Sequence, residues 1–153
     1  MDTCDFLIIG GGIIGISIAR ELKRRHPHAT LLLIEKEEGY GLHASGRNSG
    51  VLHAGFYYTA DSFKAKFTQT GNQRLTEYCE SRNIPVNKCG KLVVAQNKSE
   101  LSQLDELMVR AKNNNVPLNS ITEEEAKAIE PRVKTFERAL FSPTTSSVNP
   151  SQV

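Results

Sequence analysis

The sequence predicts an α/β chain: the opening of a Rossmann-like dinucleotide-binding domain, followed by the start of an α+β domain. Three observations carry that prediction. A short apolar run, Phe6 to Ile9, stops on glycines; helical spacing begins directly after them; and a second apolar run, Leu31 to Ile34, ends on an acid, Glu35.

Phe6, Leu7, Ile8 and Ile9 form a continuous apolar run with β-branched members, the pattern of a strand buried on both faces in a parallel sheet. From Ile13 to Arg25 the apolar residues Ile14, Ile18 and Leu22 recur every fourth position, joined by Ala19, which predicts a helix with one face against a sheet. Pro27 stops it, and Lys23, Arg24, Arg25 and His26 suit the carbonyl end of its dipole. Leu31 to Ile34 is the second strand, and the crossover rule makes it a parallel neighbour of the first with a right-handed connection.

Between Glu37 and Asp61 the periodicity is lost, as in a long loop or a loop with a short helix, and loops of that length inside a domain are usually functional. Helical spacing returns at Ser62, with Phe63, Phe67, Gly71, Leu75 and Tyr78 on one stripe, and runs to about Arg82. Leu92 to Ala95 reads as a strand. Ser99 is placed to cap a helix whose apolar face is Leu101, Leu104, Leu107, Met108 and Ala111. Thr122 with Glu125 makes a capping box for a third helix that ends before Pro131, and Ala139 to Phe141 reads as a short strand. The expected domains are 1–85 for the amino-terminal part of the dinucleotide-binding domain, 86–143 for the start of a substrate-binding domain, and 144–153 for a return segment. A doubly wound sheet needs about five or six strands. The chain is therefore expected to be an incomplete, amino-terminal fragment.

Composition narrows the function. With 39% hydrophobic and 24% charged residues and a mean hydropathy of -0.37, the chain reads as soluble and globular. Its 19 basic and 17 acidic residues are interspersed, so no basic face for nucleic acid is predicted. Cys4, Cys79 and Cys89 make no C-x-x-C pair and leave an odd thiol in any disulfide scheme, which fits a reducing, cytoplasmic setting. The apolar stretch from Phe6 to Ala19 is too short to span a bilayer, and Asp2 and Asp5 precede it where an export signal would carry positive charge. His26 and His28 flank Pro27 without zinc-ligand spacing, so no metal is expected. Gly15 is followed by Ile16, not by the Lys and hydroxyl pair of an ATP-type phosphate loop.

Gly10, Gly12 and Gly15 give G-x-G-x-x-G at the junction of strand and helix. The spacing answers three demands: a tight turn, backbone approach to a pyrophosphate, and close packing of helix on strand. Glu35 ends the second strand twenty residues beyond Gly15, where it can accept the hydroxyl hydrogens of an adenosine ribose; Lys36 beside it does not by itself imply a 2′-phosphate. These residues alone fit NAD as well as FAD. The segment from His43 to Gly55 favours the longer cofactor, because its small residues permit close backbone contact and its hydroxyls and Asn48 can satisfy phosphate, ribityl or ring atoms. His43 and His53 carry imidazoles, the side-chain type able to change charge near neutral pH, and His53 lies in the more apolar context of Val51, Leu52 and Ala54. Tyr57 and Tyr58 are candidates for a ligand wall.

At these residues the chain resembles the FAD-dependent oxidoreductases of D-amino-acid-oxidase-like fold, and among them the L-2-hydroxyglutarate dehydrogenases and oxidases. The resemblance rests on Ile8-Ile9-Gly10-Gly11-Gly12-Ile13-Ile14-Gly15, Leu33-Ile34-Glu35-Lys36, Asn48-Ser49-Gly50-Val51-Leu52-His53-Ala54-Gly55 with Tyr57-Tyr58, Ser62-Phe63-Lys64-Ala65-Lys66, Cys89-Gly90-Lys91-Leu92-Val93-Val94-Ala95, and Glu130-Pro131. Two departures stand out. Ser45-Gly46-Arg47 stands where well-known members have Thr-Gly-His, and Val148-Asn149 where the family commonly has Val-Asp. The first puts a fixed guanidinium in place of a titratable imidazole.

The resemblance implies that Gly10, Gly12 and Gly15, with Ile13 and Ile14 at the helix start, hold the FAD pyrophosphate, and that Glu35 and Lys36 meet the adenosine ribose. Ser45, Arg47, Asn48, Ser49, Gly50 and Val51 would line the cofactor toward the flavin, and His53 would stand beside the ring as the catalytic base. The implied reaction is hydride transfer to FAD from a 2-hydroxy acid, foremost L-2-hydroxyglutarate going to 2-oxoglutarate, with an amino acid or glycerol 3-phosphate as alternative substrates and an inactive fragment as the non-enzymatic alternative. Oxygen or a quinone would be the electron acceptor, with room for peripheral membrane contact in a full-length parent.

Overall fold

The computed structural model describes residues 3–153; Asp2, invoked against an export signal, lies outside the described residues. The chain divides into two compact units. One ends at Ser49 and takes in Pro150–Gln152; the other is Gly50–Asn149 with Val153. The domain division expected from sequence falls elsewhere, at 85/86.

In the first unit β1 (Phe6–Ile9) and β2 (Leu31–Ile34) pair in parallel, Phe6 opposite Leu31 and Ile9 opposite Ile34, joined through helix α1 (Ile13–Arg25). Burial differs from the sequence expectation. The two strands alternate between half-buried and exposed residues, and Ile9 is 79% exposed, so β1 is not covered on both faces. Helix α1 buries no residue completely. Ile14, expected on its packed stripe, is 74% exposed, whereas Gly15, Ala19 and Leu22 are half-buried. The helix approaches the strand through Gly15: a Cβ there would lie 2.0 Å from the Gly10 carbonyl oxygen and 3.4 Å from Ile8 Cγ2.

The second unit holds two antiparallel three-stranded sheets. In one, β8 (Ser146–Val148) lies between β3 (Val51–Leu52) and β4 (Val86–Asn87). In the other, β7 (Arg138–Ser142) lies between β5 (Lys91–Val94) and β6 (Asn119–Thr122). Of these, sequence periodicity marks only β5 and the middle of β7. The core gathers Phe56, Ala95, Leu104, Ala111, Val116 and Leu140, with Leu101, Leu107 and Met108 packed against it, as expected for the face of α3 (Leu101–Asn113).

Two helix expectations need correction. Helix α2 (Phe63–Ser81) is capped by Ser62, whose Oγ accepts from the Ala65 N–H at 3.1 Å, but it buries Ala65 and Cys79 instead of the Phe63 stripe. Phe63 and Phe67 are 76% and 66% exposed and stack on each other. Gly55, at φ +103°, faces the covered side of the helix: a Cβ there would stand 3.5 Å from the Ala65 carbonyl oxygen. Ser99 does not cap α3. Asn97 Oδ1 accepts from the Ser99 N–H at 3.0 Å and opens a 3-10 turn, Lys98–Glu100, that runs into the helix; asparagine caps as well as serine does and stands first in the chain. The capping box is present, with Thr122 Oγ1 accepting from Glu125 N–H and Glu125 Oε2 accepting from Thr122 N–H, at the start of α4 (Glu123–Ile129).

Candidate functional site

In the first unit the glycine turn is built from backbone geometry. Gly10 takes φ +105° and donates its N–H to Ile34 O at 2.8 Å, which turns the chain off β1 while tying it to β2. Gly12 is the N-cap of α1 and has no side chain to offer, so an oxygen is recruited from afar: Ser45 Oγ accepts from the Ile13 N–H at 3.0 Å. A helix N-terminus capped through space by one hydroxyl is a ready anion site, since aligned N–H groups and the positive dipole end point outward.

Glu35 is held to the same turn. Its Oε2 accepts from the Gly11 N–H at 2.5 Å and its Oε1 from the Lys36 and Glu37 N–H groups at 2.9 and 3.2 Å. The Gly11 bond first, then that from Glu37, holds this carboxyl below the usual glutamate range, so it is ionised at neutral pH. A carboxylate offers about four lone-pair positions. The backbone takes three and leaves one, on Oε2, for a ribose hydroxyl. The turn is close-packed at Gly11, where a Cβ would meet Tyr40 Cδ1 at 2.5 Å and Glu35 Cβ at 3.2 Å. The glycine turn, the helix N-terminus and the open position on Glu35 suit the chemistry of a dinucleotide's pyrophosphate and adenosine.

The following loop is less open than its sequence suggests. Asn48, expected to face a cofactor, donates through Nδ2 to Ala44 O and Ser45 O at 3.1 and 2.8 Å, closing its own turn. His43 bonds Glu37 Oε1 at 2.8 Å. Arg47 and Ser49 are exposed, as are Ile13, Ile14 and Lys36.

In the second unit Gly50 is buried at φ +64° and accepts from Val148 N–H at 2.9 Å, which starts β3 at the half-buried Val51. His53 follows this strand and is exposed at its surface. Desolvation by its neighbours, then the positive charge of Lys91, pushes its pKa below the ordinary imidazole value, so the neutral ring prevails at pH 7. The segment after it is fixed from α3: Asn114, itself buried, donates to Gly55 O and Tyr58 O at 3.0 and 2.8 Å, and Arg110 Nη1 donates to Tyr57 O at 2.7 Å. Lys91, Arg110 and Asn114 drew no role from sequence reasoning; the only signal was Lys91's place in the Cys89-Gly90-Lys91 run.

The chain matches the FAD dependent oxidoreductase family over residues 5–153, and it belongs to that family. It is 44% identical over 150 residues to a mitochondrial L-2-hydroxyglutarate dehydrogenase of Nematostella vectensis, covering 97% of this chain and 33% of that protein. The human mitochondrial L-2-hydroxyglutarate dehydrogenase is 40% identical over 150 residues, 97% of this chain and 32% of its own. The chain thus spans about a third of the length of the curated relatives it matches. Among solved structures, the L-alpha-glycerophosphate oxidase of Mycoplasma pneumoniae with FAD bound superposes with a TM-score of 0.87 at 30% identity, over 98% of this chain and 40% of that one. The family's cofactor is FAD, and the glycine turn and Glu35 suit its adenosine diphosphate half.

Proposed function

We propose that this chain supplies the adenosine end of the cofactor site and the proton-accepting histidine of an FAD-dependent L-2-hydroxyglutarate dehydrogenase, which converts the C2 alcohol to the ketone of 2-oxoglutarate. The observation that carries this reading is His53, a histidine kept neutral on a segment pinned by Asn114 and Arg110. Oxidising the alcohol removes a hydride from C2 and a proton from the hydroxyl. A neutral ring nitrogen of His53 takes the proton. FAD, when bound, supplies the acceptor for the hydride. Gly10, Gly12 and Gly15, with the N–H groups of Ile13 and Ile14, receive the pyrophosphate, and Glu35 receives one ribose hydroxyl. Ser45, Arg47, Ser49, Gly50 and Val51 are assigned to the remaining length of the cofactor. Oxygen or a quinone accepts the electrons afterwards.

The substrate choice is supported by the identity to L-2-hydroxyglutarate dehydrogenases. The likeness to a glycerophosphate oxidase makes glycerol 3-phosphate the competitor to exclude. Anaerobic mixing of the FAD-loaded protein with each compound decides: L-2-hydroxyglutarate is expected to bleach the flavin absorption and glycerol 3-phosphate or an amino acid to leave it. The reverse pattern rejects the substrate.

A further inference from the structure

We infer that Lys91 recognises a carboxylate of the substrate beside His53 and so makes the site select acids over uncharged alcohols. This rests on the proposed function, whose substrate is a dicarboxylate.

Lys91 is placed by the start of β5. Gly90 takes φ +70°, and a Cβ there would lie 2.4 Å from the Phe141 ring, so a glycine must precede Lys91 for the strand to pair Lys91 with Ser142. The ammonium of Lys91 sits 4.6 Å from the centroid of the Tyr57 ring. That ring is itself immobilised against Phe56, centroids 4.3 Å apart, with Phe56 fully buried in the core. Lys91 is half-buried, and among the described residues no carboxylate lies within ion-pair reach of it. By contrast Lys88 meets Glu80 at 2.6 Å and Arg110 pairs with Glu106. A half-buried lysine whose ammonium rests on an aromatic face and meets no carboxylate among the described residues has its charge available for an anionic ligand.

Its charge also reaches His53. The charged and titratable groups around this segment are Lys91 from β5, Arg110 from α3 bonded to Tyr57 O, Lys64 from α2 over the Tyr58 ring, and the two tyrosines themselves. Lys91 is the one whose field depresses His53. An arriving carboxylate neutralises that field, so acid binding strengthens the base it needs.

The test uses the FAD-loaded protein and two variants. Lys91→Met keeps the stem over Tyr57 and removes the charge; it is expected to raise KM for L-2-hydroxyglutarate at least about tenfold, ~1.4 kcal/mol, with a smaller change in kcat. Lys91→Arg is expected to restore most of the affinity, which a merely structural role for the lysine would not require. Without turnover, NMR titration of His53 should show its pKa rising in Lys91→Met, and rising in wild type but not in Lys91→Met when glutarate is added. A folded Lys91→Met protein with KM within about twofold of wild type, or glutarate shifting His53 equally in both proteins, overturns the inference. Glutarate binding does not depend on which compound reduces the flavin, so a wrong substrate and a wrong role for Lys91 give different results.

Discussion

The two units are held together by different means. The residues up to Ser49 bury no side chain of their helix and expose isoleucines on strand and helix alike; their order comes from backbone bonds at Gly10, Gly11 and Ile13 and from the fit of Gly15 against Gly10. The residues from Gly50 onward surround Phe56 and Leu140 with a packed apolar core. A dinucleotide is gripped through main-chain N–H groups, so a nucleotide end can be specified by where glycines sit. A substrate wall needs side chains at fixed distances, and those need a core behind them.

The sharpest way to break this contrast is a pair of truncations. Phe56→Ala removes a ring that is 1% exposed and in contact with Tyr57, and should cost about 3–5 kcal/mol of unfolding free energy. Ile14→Ala, at an exposed helical position, should stay within about 0.5 kcal/mol. Urea denaturation followed by circular dichroism measures both. A large loss at Ile14 would show that the first unit has a side-chain core after all.

The next effect is steric. Gly15→Ala forces a methyl against the Gly10 carbonyl, a backbone atom that cannot swing aside, and should cost about 1–3 kcal/mol as overpacking does. FAD titration should weaken with it, since the turn must open. Gly71→Ala is the control: it lies in α2 with open space around the new Cβ and should be stabilising by up to about 1 kcal/mol. Weakened FAD binding from both substitutions would mean that helix content, not the glycine fit, governs the affinity.

Legibility in the sequence follows the same divide. The strand, turn, helix and second strand of the first unit are read to the residue, because apolar runs, glycine spacing and Pro27 are local signals. In the second unit β3, β4, β6 and β8 are missed. They are two to four residues long and partly polar, Asn119-Ser120-Ile121-Thr122 and Ser146-Ser147-Val148, and become strands only because a partner lies alongside. The Phe63 stripe misled because periodicity marks an apolar face without saying which face is covered, and α2 buries Ala65 and Cys79 instead. At the site, Gly10, Gly15 and Glu35 were legible from spacing. Asn48's closure of its own turn, and the setting of Lys91 over Tyr57, depend on approaches that no window of sequence contains.

A smaller expected effect compares two helix starts. Thr122→Ala removes a local cap from α4 and should cost about 1 kcal/mol. Ser45→Ala removes the through-space cap from α1 at a similar cost, but only without cofactor: an FAD pyrophosphate bonded to the same helix end compensates for the lost hydroxyl. Thermal melts with and without FAD should therefore show the Ser45→Ala deficit shrinking on loading and the Thr122→Ala deficit unchanged; equal deficits in both states would sever Ser45 from the cofactor site.

The smallest effect is electrostatic and has a definite sign. Glu35 is ionised more easily in the fold than in the unfolded chain, where a glutamate titrates at about 4.3, because the Gly11 and Glu37 N–H groups favour the charged form. Its contribution to stability is thus fully present above that unfolded value and is lost as pH falls through the lower, folded one. Glu35→Gln keeps the size but accepts more weakly and has no charge to lose. At pH 7 the variant should melt slightly below wild type, and the gap should close as the pH is taken from 5 toward 3. The acid is only half-buried, so the gap is modest and should narrow with added salt. A gap that stays constant across this range would mean that Glu35 supports the turn by shape alone, and that its charge belongs entirely to the ribose.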